Sequence, residues 1–294
     1  MVKTLVYGLY PRTEKLRRSY NRWERGLMKS QEIAEIVREE KYEFYDLLER
    51  SGIDEYTDPL FNWYDILRPI ILSMENVKLG PLTRYLETNT FYRMPEFYGI
   101  PAINRNLVEF GEMDENPPLP AYHLDKNASI FLPSPYSVFK MSRFMEKISE
   151  NDFYAALVRE YGKIAKTFGV SKVVLFDVFE YGNHNVSYLD PLLDSAKVTL
   201  IARGSPSADN FAGLGHRFEY IVADSMNGDM RKFTRGIGAK VVSAHRTKIE
   251  DVAAGKRPRD DSVELITHDD YMDFLPREIA DIKVEILGKM GDAA

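Results

Sequence analysis

Cysteine is absent from all 294 residues. That one absence excludes disulfides, thiolate nucleophiles and cysteine-ligated metals together. Apolar runs are short as well. None approaches the roughly 18 residues that a membrane-spanning helix needs, so no membrane span is expected. The opening segment from Met1 to Lys15 reads as a strand and not as a secretory signal, because its apolar part is short and no small-residue cleavage site follows. Gly-rich phosphate loops are missing too: no GxGxxG or GxxxxGK[ST] follows a candidate strand. Positive charge is in deficit, with a net charge of −6, which argues against general nucleic-acid binding. What remains is ample for a core, since 44% of residues are hydrophobic. A charged content of 29% without thiols suits a heat-adapted cytoplasm, and a cytoplasmic location is expected.

Short, nearly continuous apolar runs recur along the chain. They lie at Thr4–Tyr7, Ile53–Thr57, Ala128–Leu132, Lys172–Phe176, Lys197–Ile201, Glu219–Ala223, Ala239–Ser243 and Val263–Thr267. Helix-length segments separate them. Leu16, Tyr20, Trp23 and Leu27 form one helical stripe, and a second helix runs from about Gln31 to Arg50. A third opens near Asn151-Asp152 and is closed by Gly169. Apolar strands alternating with helices indicate a parallel sheet covered on both faces. The count favours α/β architecture of the single (β/α)8 TIM-barrel type, one domain over residues 1–294, rather than an open doubly wound sheet. The stretch from Gly80 to Pro120 has weak periodicity and much Pro, Asn and Tyr, and reads as an irregular insertion over the domain.

Barrel chemistry collects where the strands end at their C-terminal side. Those positions hold Arg12, Asp58, Ser134, Tyr136, Ser137, Asp177, Glu180, His184, Arg203, Asp224, His245, His268, Asp269 and Asp270. Asp177 and Glu180 could act as an acid–base pair, or hold ammonium or guanidinium groups of a ligand. His245, His268, Asp224 and Asp270 are types that bind divalent metals through N and O atoms, but no HxH or HExxH spacing supports a metal site. The aspartates after Thr267 equally suit a cap for the following helix. Lys15, Arg18, Arg22 and Arg25 form a basic row that is either a solvated face or a surface for a polyanion. Trp63, Tyr64, Asp65 and Arg68 either line a pocket or pair locally at a helix start.

Several segments together resemble the cobalamin-independent methionine synthase (MetE) family, over almost the whole chain. They are Gly8-Leu9-Tyr10-Pro11-Arg12 with Leu16-Arg17; Ser51 to Asp58; Trp63, Asp65, Arg68 and Pro69; Thr90 to Arg93; Leu132 to Ser137; Gly238 to Asp251; and Leu275-Pro276-Arg277. The resemblance implies a barrel of the MetE/uroporphyrinogen-decarboxylase-like kind. It implies two homologous barrels in full-length members. One holds zinc through His, two Cys and Glu and binds homocysteine as a thiolate; the N-terminal one lacks zinc and helps to hold a folate with its polyglutamate tail. At the corresponding zinc positions this sequence offers Leu200, Ala202, a segment near Ala223-Asp224, and Asp270. Leu9 stands where the family has a serine against homocysteine, and Asp177-Val178-Phe179 stands for its Asp-Glu-Pro.

The expectation is therefore a zinc-free, N-terminal-type barrel, binding no cofactor of its own and inactive alone in methyl transfer. It would act in methionine biosynthesis with a separate zinc-bearing barrel, taking a methylated folate or pterin as substrate, with neither nucleic acid nor membrane as partner. Arg12, Arg17, Asp58, Trp63, Asp65, Arg68, Arg93 and Ser137 are the candidate substrate-binding residues. Asp177, Glu180, His245, His268 and Asp270 are the catalytic candidates for the alternative, a stand-alone enzyme of the same superfamily with changed chemistry. A third reading is a non-catalytic scaffold that binds a partner through the Gly80–Pro120 region.

Overall fold

The computed structural model describes residues 3–63, 65–86, 91–103, 128–204, 206–211, 213–224, 241–245, 265–268 and 272–292, with backbone alone at 69, 208, 223–224, 241–245 and 291–292. In chain order the elements are β1 (Lys3–Val6), α1 (Glu14–Glu24), α2 (Ser30–Arg50), β2 (Glu55–Thr57), α3 (Arg68–Leu72), β3 (Met74–Arg84), β4 (Phe91–Ile103), β5 (Ala128–Pro133), α4 (Pro135–Lys140), β6 (Arg143–Phe144), α5 (Glu150–Phe168), β7 (Lys172–Glu180), α6 (Asp190–Ser195), β8 (Lys197–Arg203), β9 (Tyr220–Asp224), β10 (Val241–His245), β11 (Leu265–His268) and α7 (Arg277–Asp292). The parallel strands curl into a closed sheet in the order β1-β11-β10-β9-β8-β7-β5-β2, and β2 pairs back to β1. As far as they are described, the segments that read as parallel strands lie in this sheet; residues 239–240 and 263–264 of the last two lie outside the described residues.

Local chemistry explains the helices. Thr13 caps α1 by accepting the Leu16 N–H at 3.1 Å, and Leu16, Tyr20 and Trp23 face inward. Leu27 departs from the expected stripe: the helix has already ended, and the side chain is 64% exposed. Ser149 caps α5, and Gly169 ends it at φ +64°, a conformation that a residue without Cβ adopts at no cost. Gly288 serves a different need. A Cβ there would lie 1.6 Å from the Ser51 carbonyl oxygen, so its bare backbone lets α7 pack on the end of α2.

The barrel interior is filled at the level where chemistry was expected. Tyr7 stacks on His268 at 4.1 Å and stands 6.1 Å from both Phe131 and Phe176. Tyr7, at the end of β1, and His268, on the neighbouring β11, form one pair, and Phe131 and Phe176, on the neighbouring β5 and β7, form the other; β2 separates the two pairs, which meet in the interior. Each ring is almost completely buried.

Over residues 80–84 and 91–103 the chain is not irregular. β3 and β4 form an antiparallel pair, and β6 joins β4, giving a separate three-stranded sheet. Residues 87–90 and 104–120 of the expected insertion lie outside the described residues. Pro81 and Pro95 obscure the strand pattern, and the register shifts between Glu75 and Val77 and again between Leu79 and Leu82. Bulges of this kind break the alternation that marks a strand and accommodate prolines. Among the described residues no helix is long and apolar enough to cross a membrane.

Candidate functional site

Two cavities open on the C-terminal side of the strands. The first, about 480 Å³, lies beyond the ends of β11, β1 and β2 and is lined by Leu9, Arg12, Arg17, Leu60, Trp63, Phe274 and Arg277 among others. The second, about 610 Å³, lies beyond β5 and β7, against the start of α5. Its walls are Tyr136, Tyr154, Tyr181, His184 and Tyr188.

In the first cavity two backbone carbonyls help to fix Arg12. Its Nε donates to the Phe61 carbonyl at 2.6 Å and its Nη2 to the Trp63 carbonyl at 2.7 Å, while the guanidinium lies 4.1 Å over the Tyr20 ring. The carbonyls orient the fork in a cleft that Asp273 also lines. Arg17 is exposed and pairs with Glu14 at 3.4 Å. Arg277 pairs with Asp281 at 2.8 Å and Glu40 at 3.5 Å. Burial pushes the Glu40 carboxyl up, against the lowering effect of Thr13 and Arg277. The wall at Leu60 has φ +55°, an uncommon conformation for a side-chain-bearing residue. It is held by its N–H donating to Asp58 Oδ1 at 2.8 Å, and Asp58 in turn pairs with the buried Lys41 at 2.7 Å.

The candidate residues separate into groups. Arg12, Arg17 and Trp63 meet in the first cavity. Asp58 stands behind it as a buried anchor. Asp65 accepts the Leu67 and Arg68 backbone N–H groups at 2.9 and 2.7 Å and pairs with Arg68 Nε at 3.4 Å, so both hold the turn that follows Trp63. Burial pushes the Asp65 carboxyl up. Arg93 is exposed on β4 and reaches the Gly80 carbonyl at 3.5 Å, away from the lining of either cavity. Ser137 is buried and accepts the Val178 N–H at 2.8 Å.

Asp177 is fully buried and accepts hydrogen bonds from the Ser134 and Tyr181 hydroxyls. Burial pushes its carboxyl up to about 7, although those hydroxyls and Ser137 pull the other way. Glu180 is exposed, with its carboxyl group packed against Gly204. His268 Nε2 accepts the Tyr7 N–H at 3.1 Å, and the ring belongs to the aromatic interior. The backbone of His245 is in register with that of His268, and Asp224 ends β9. Asp269 and Asp270 lie outside the described residues. Sequence reasoning missed Leu60, Phe274 and Arg277 as lining. Arg277 carries a signal in hindsight, an arginine opening a helix just after a strand-end cluster.

The donor set does not fit a thiolate zinc site. Leu200 and Ala202 on β8 are apolar and buried at the positions where the MetE resemblance would place ligands, and the chain has no cysteine. Among the described residues no cluster of three potential ligands occurs.

No protein-family model and no curated protein matches this chain. Solved structures do. A putative vitamin-B12-independent methionine synthase from Listeria monocytogenes matches with a TM-score of 0.70 at 12% identity, covering 100% of this chain and 98% of that one. A B12-independent methionine synthase from Shewanella sp. W3-18-1, in complex with selenomethionine, matches with a TM-score of 0.62 at 11% identity, covering 91% of this chain and 90% of that one. At such identities the likeness shows a shared fold: an α/β structure with a curled parallel sheet, like that of B12-independent methionine synthases.

Proposed function

We propose that this chain is a methionine synthase-related (β/α)8 barrel of the zinc-free type that binds a methylated folate or pterin and works beside a separate zinc-bearing barrel. The carrying observation is a mismatch between fold and ligands. A fold shared end to end with B12-independent methionine synthases carries Leu200 and Ala202 in place of metal-binding side chains. A homocysteine thiol without a metal is mostly protonated at neutral pH and a poor nucleophile. The task left to this chain is to hold the other substrate.

The first cavity suits that task. Trp63, Leu60 and Phe274 offer apolar area for a flat ring system, and Arg12 and Arg17 offer charge for an anionic tail. What the chain's own residues supply is orientation and water exclusion. Arg12 is pre-set by two carbonyls and loses little freedom on binding a carboxylate. The test is calorimetric titration of the purified chain with 5-methyltetrahydropteroylglutamates, alone and after addition of a zinc-bearing barrel. Binding that strengthens with glutamate number, and faster methyl transfer in the mixture, is expected. No binding together with unchanged transfer ends the proposal.

A further inference from the structure

A third arginine lines the first cavity, and it is held in a way that a ligand can loosen. Arg277 opens α7, and its guanidinium lies over Tyr10 and Phe61, 5.1 and 5.8 Å from the ring centres. Its Nε pairs with Asp281 at 2.8 Å, one turn along the same helix. Its Nη1 stands 3.4 Å from the Pro11 carbonyl and 3.5 Å from Glu40 Oε2. Among the described residues its Nη2 makes no hydrogen bond or ion pair. Glu40 comes from α2 and is buried. Its Oε1 accepts the hydroxyl of Thr13, the cap of α1, at 2.5 Å, whereas Oε2 accepts no hydrogen bond. Burial lifts this carboxyl above its usual range and Glu43 on α2 adds to the rise; Thr13 and Lys15 from α1 and Arg277 from α7 pull it down.

An ion pair at 3.5 Å without an aligned hydrogen bond is a loose hold, and a bound anion would compete with it for the same guanidinium. We therefore propose that Arg277 is a further anion-binding group of the first cavity, and that Glu40 is a positioning residue that limits how much of its charge a bound carboxylate meets. With the Glu40 charge gone, Asp281 is the remaining carboxylate on Arg277 among the described residues, and Nη2 has a donor to offer. A proton on Glu40 acts in the same sense. Anion affinity therefore rises as pH falls through the range where Glu40 titrates, because the neutral form competes less. That the anion is the glutamate tail of a methylpterin rests on the proposed function; the competition between Glu40 and a carboxylate does not.

The probe is p-aminobenzoylglutamate, a tail without the pteridine, titrated calorimetrically at about pH 7.5 and 5.5, where its carboxylates stay ionised. Urea unfolding of each variant establishes that the titrated protein is folded. The native chain should bind with a dissociation constant of about 1 mM at the higher pH, and more tightly at the lower. Glu40→Gln keeps an acceptor for Thr13 and loses the charge. It should bind about fivefold more tightly at the higher pH and gain little on acidification. Asp273 lines the cavity in every variant, so the pH effect assigned to Glu40 is the part that Glu40→Gln removes. Arg277→Gln should weaken binding about fivefold, and Glu40→Gln should add nothing in that background, a coupling that a merely structural role would not produce. Equal or weaker binding by Glu40→Gln, a gain that survives Arg277→Gln, or no saturable binding at either pH overturns the proposal. If 5-methyltetrahydropteroylglutamate fails to bind while the Glu40→Gln gain for the probe remains, the proposed function falls and this inference stands.

Discussion

The two cavities sit on the same side of one sheet and are lined differently. Over β11, β1 and β2 the walls hold three arginines, Asp273 and apolar rings; over β5 and β7 they hold four tyrosines, an imidazole, Lys140 and Glu150. Between them the interior is filled by Tyr7, Phe131, Phe176 and His268. The difference teaches that, among the described residues, neighbouring strand ends each build their own surface beside a filled interior.

The contrast breaks most completely if the anchor of the first cavity is removed. Lys41→Met leaves Asp58 charged and unpaired in the interior, which should cost about 3–5 kcal/mol. Urea unfolding measures this loss. The strained Leu60 depends on the same aspartate, so methylpterin binding should fall with stability.

The next effect belongs to the second cavity and is visible in pH. Burial raises the Asp177 carboxyl to about 7, whereas in the unfolded chain it titrates near 4. Between those values the folded state binds the extra proton, so stability falls as pH rises from about 4 to about 7, then stays level. Relative to Asp177→Asn, the native chain should lose up to about 4 kcal/mol across that window. Parallel unfolding curves for the two at pH 4 to 7.5 check it.

Smaller effects sharpen the comparison. Arg12→Gln should weaken methylpterin binding about tenfold. Arg17→Ala removes an exposed charge already shared with Glu14, so its effect should stay below about twofold and vanish in high salt. Methylpterin titrations of both variants decide these two outcomes.

The strands were legible because each is a short apolar run between turn residues, and fully buried parallel strands need little else. The hairpin was not. β3 is largely exposed, β4 mixes buried, half-buried and exposed positions, and the pairing is bulged, so no clean alternation marks them, and Pro81 and Pro95 read as breaks. In the candidate site, Arg12 and Trp63 were legible from their positions after strands. The pairing of Asp58 with Lys41 was not, because a charge on α2 looks like any other surface lysine until the fold buries it. His268 shows the reverse error of expectation. It ends a strand as a catalytic group would, yet its ring is packed on Tyr7, which only the closing of β11 against β1 could reveal. Of the second cavity, Tyr136 and His184 were legible as strand-end residues, whereas periodicity reports the core stripe of α5 and is silent about Tyr154 and Glu150 at its start.

The central claim is that this barrel lacks the means to activate homocysteine and supplies a substrate pocket to a partner that has them. The direct measurement is methionine formation from homocysteine and a methylated pteroylglutamate by the purified chain, with and without a zinc-bearing barrel. The account predicts no product from the chain alone and a rate above that of the zinc-bearing barrel in the mixture. Methionine formation by the isolated chain, accompanied by tightly held zinc, would contradict it.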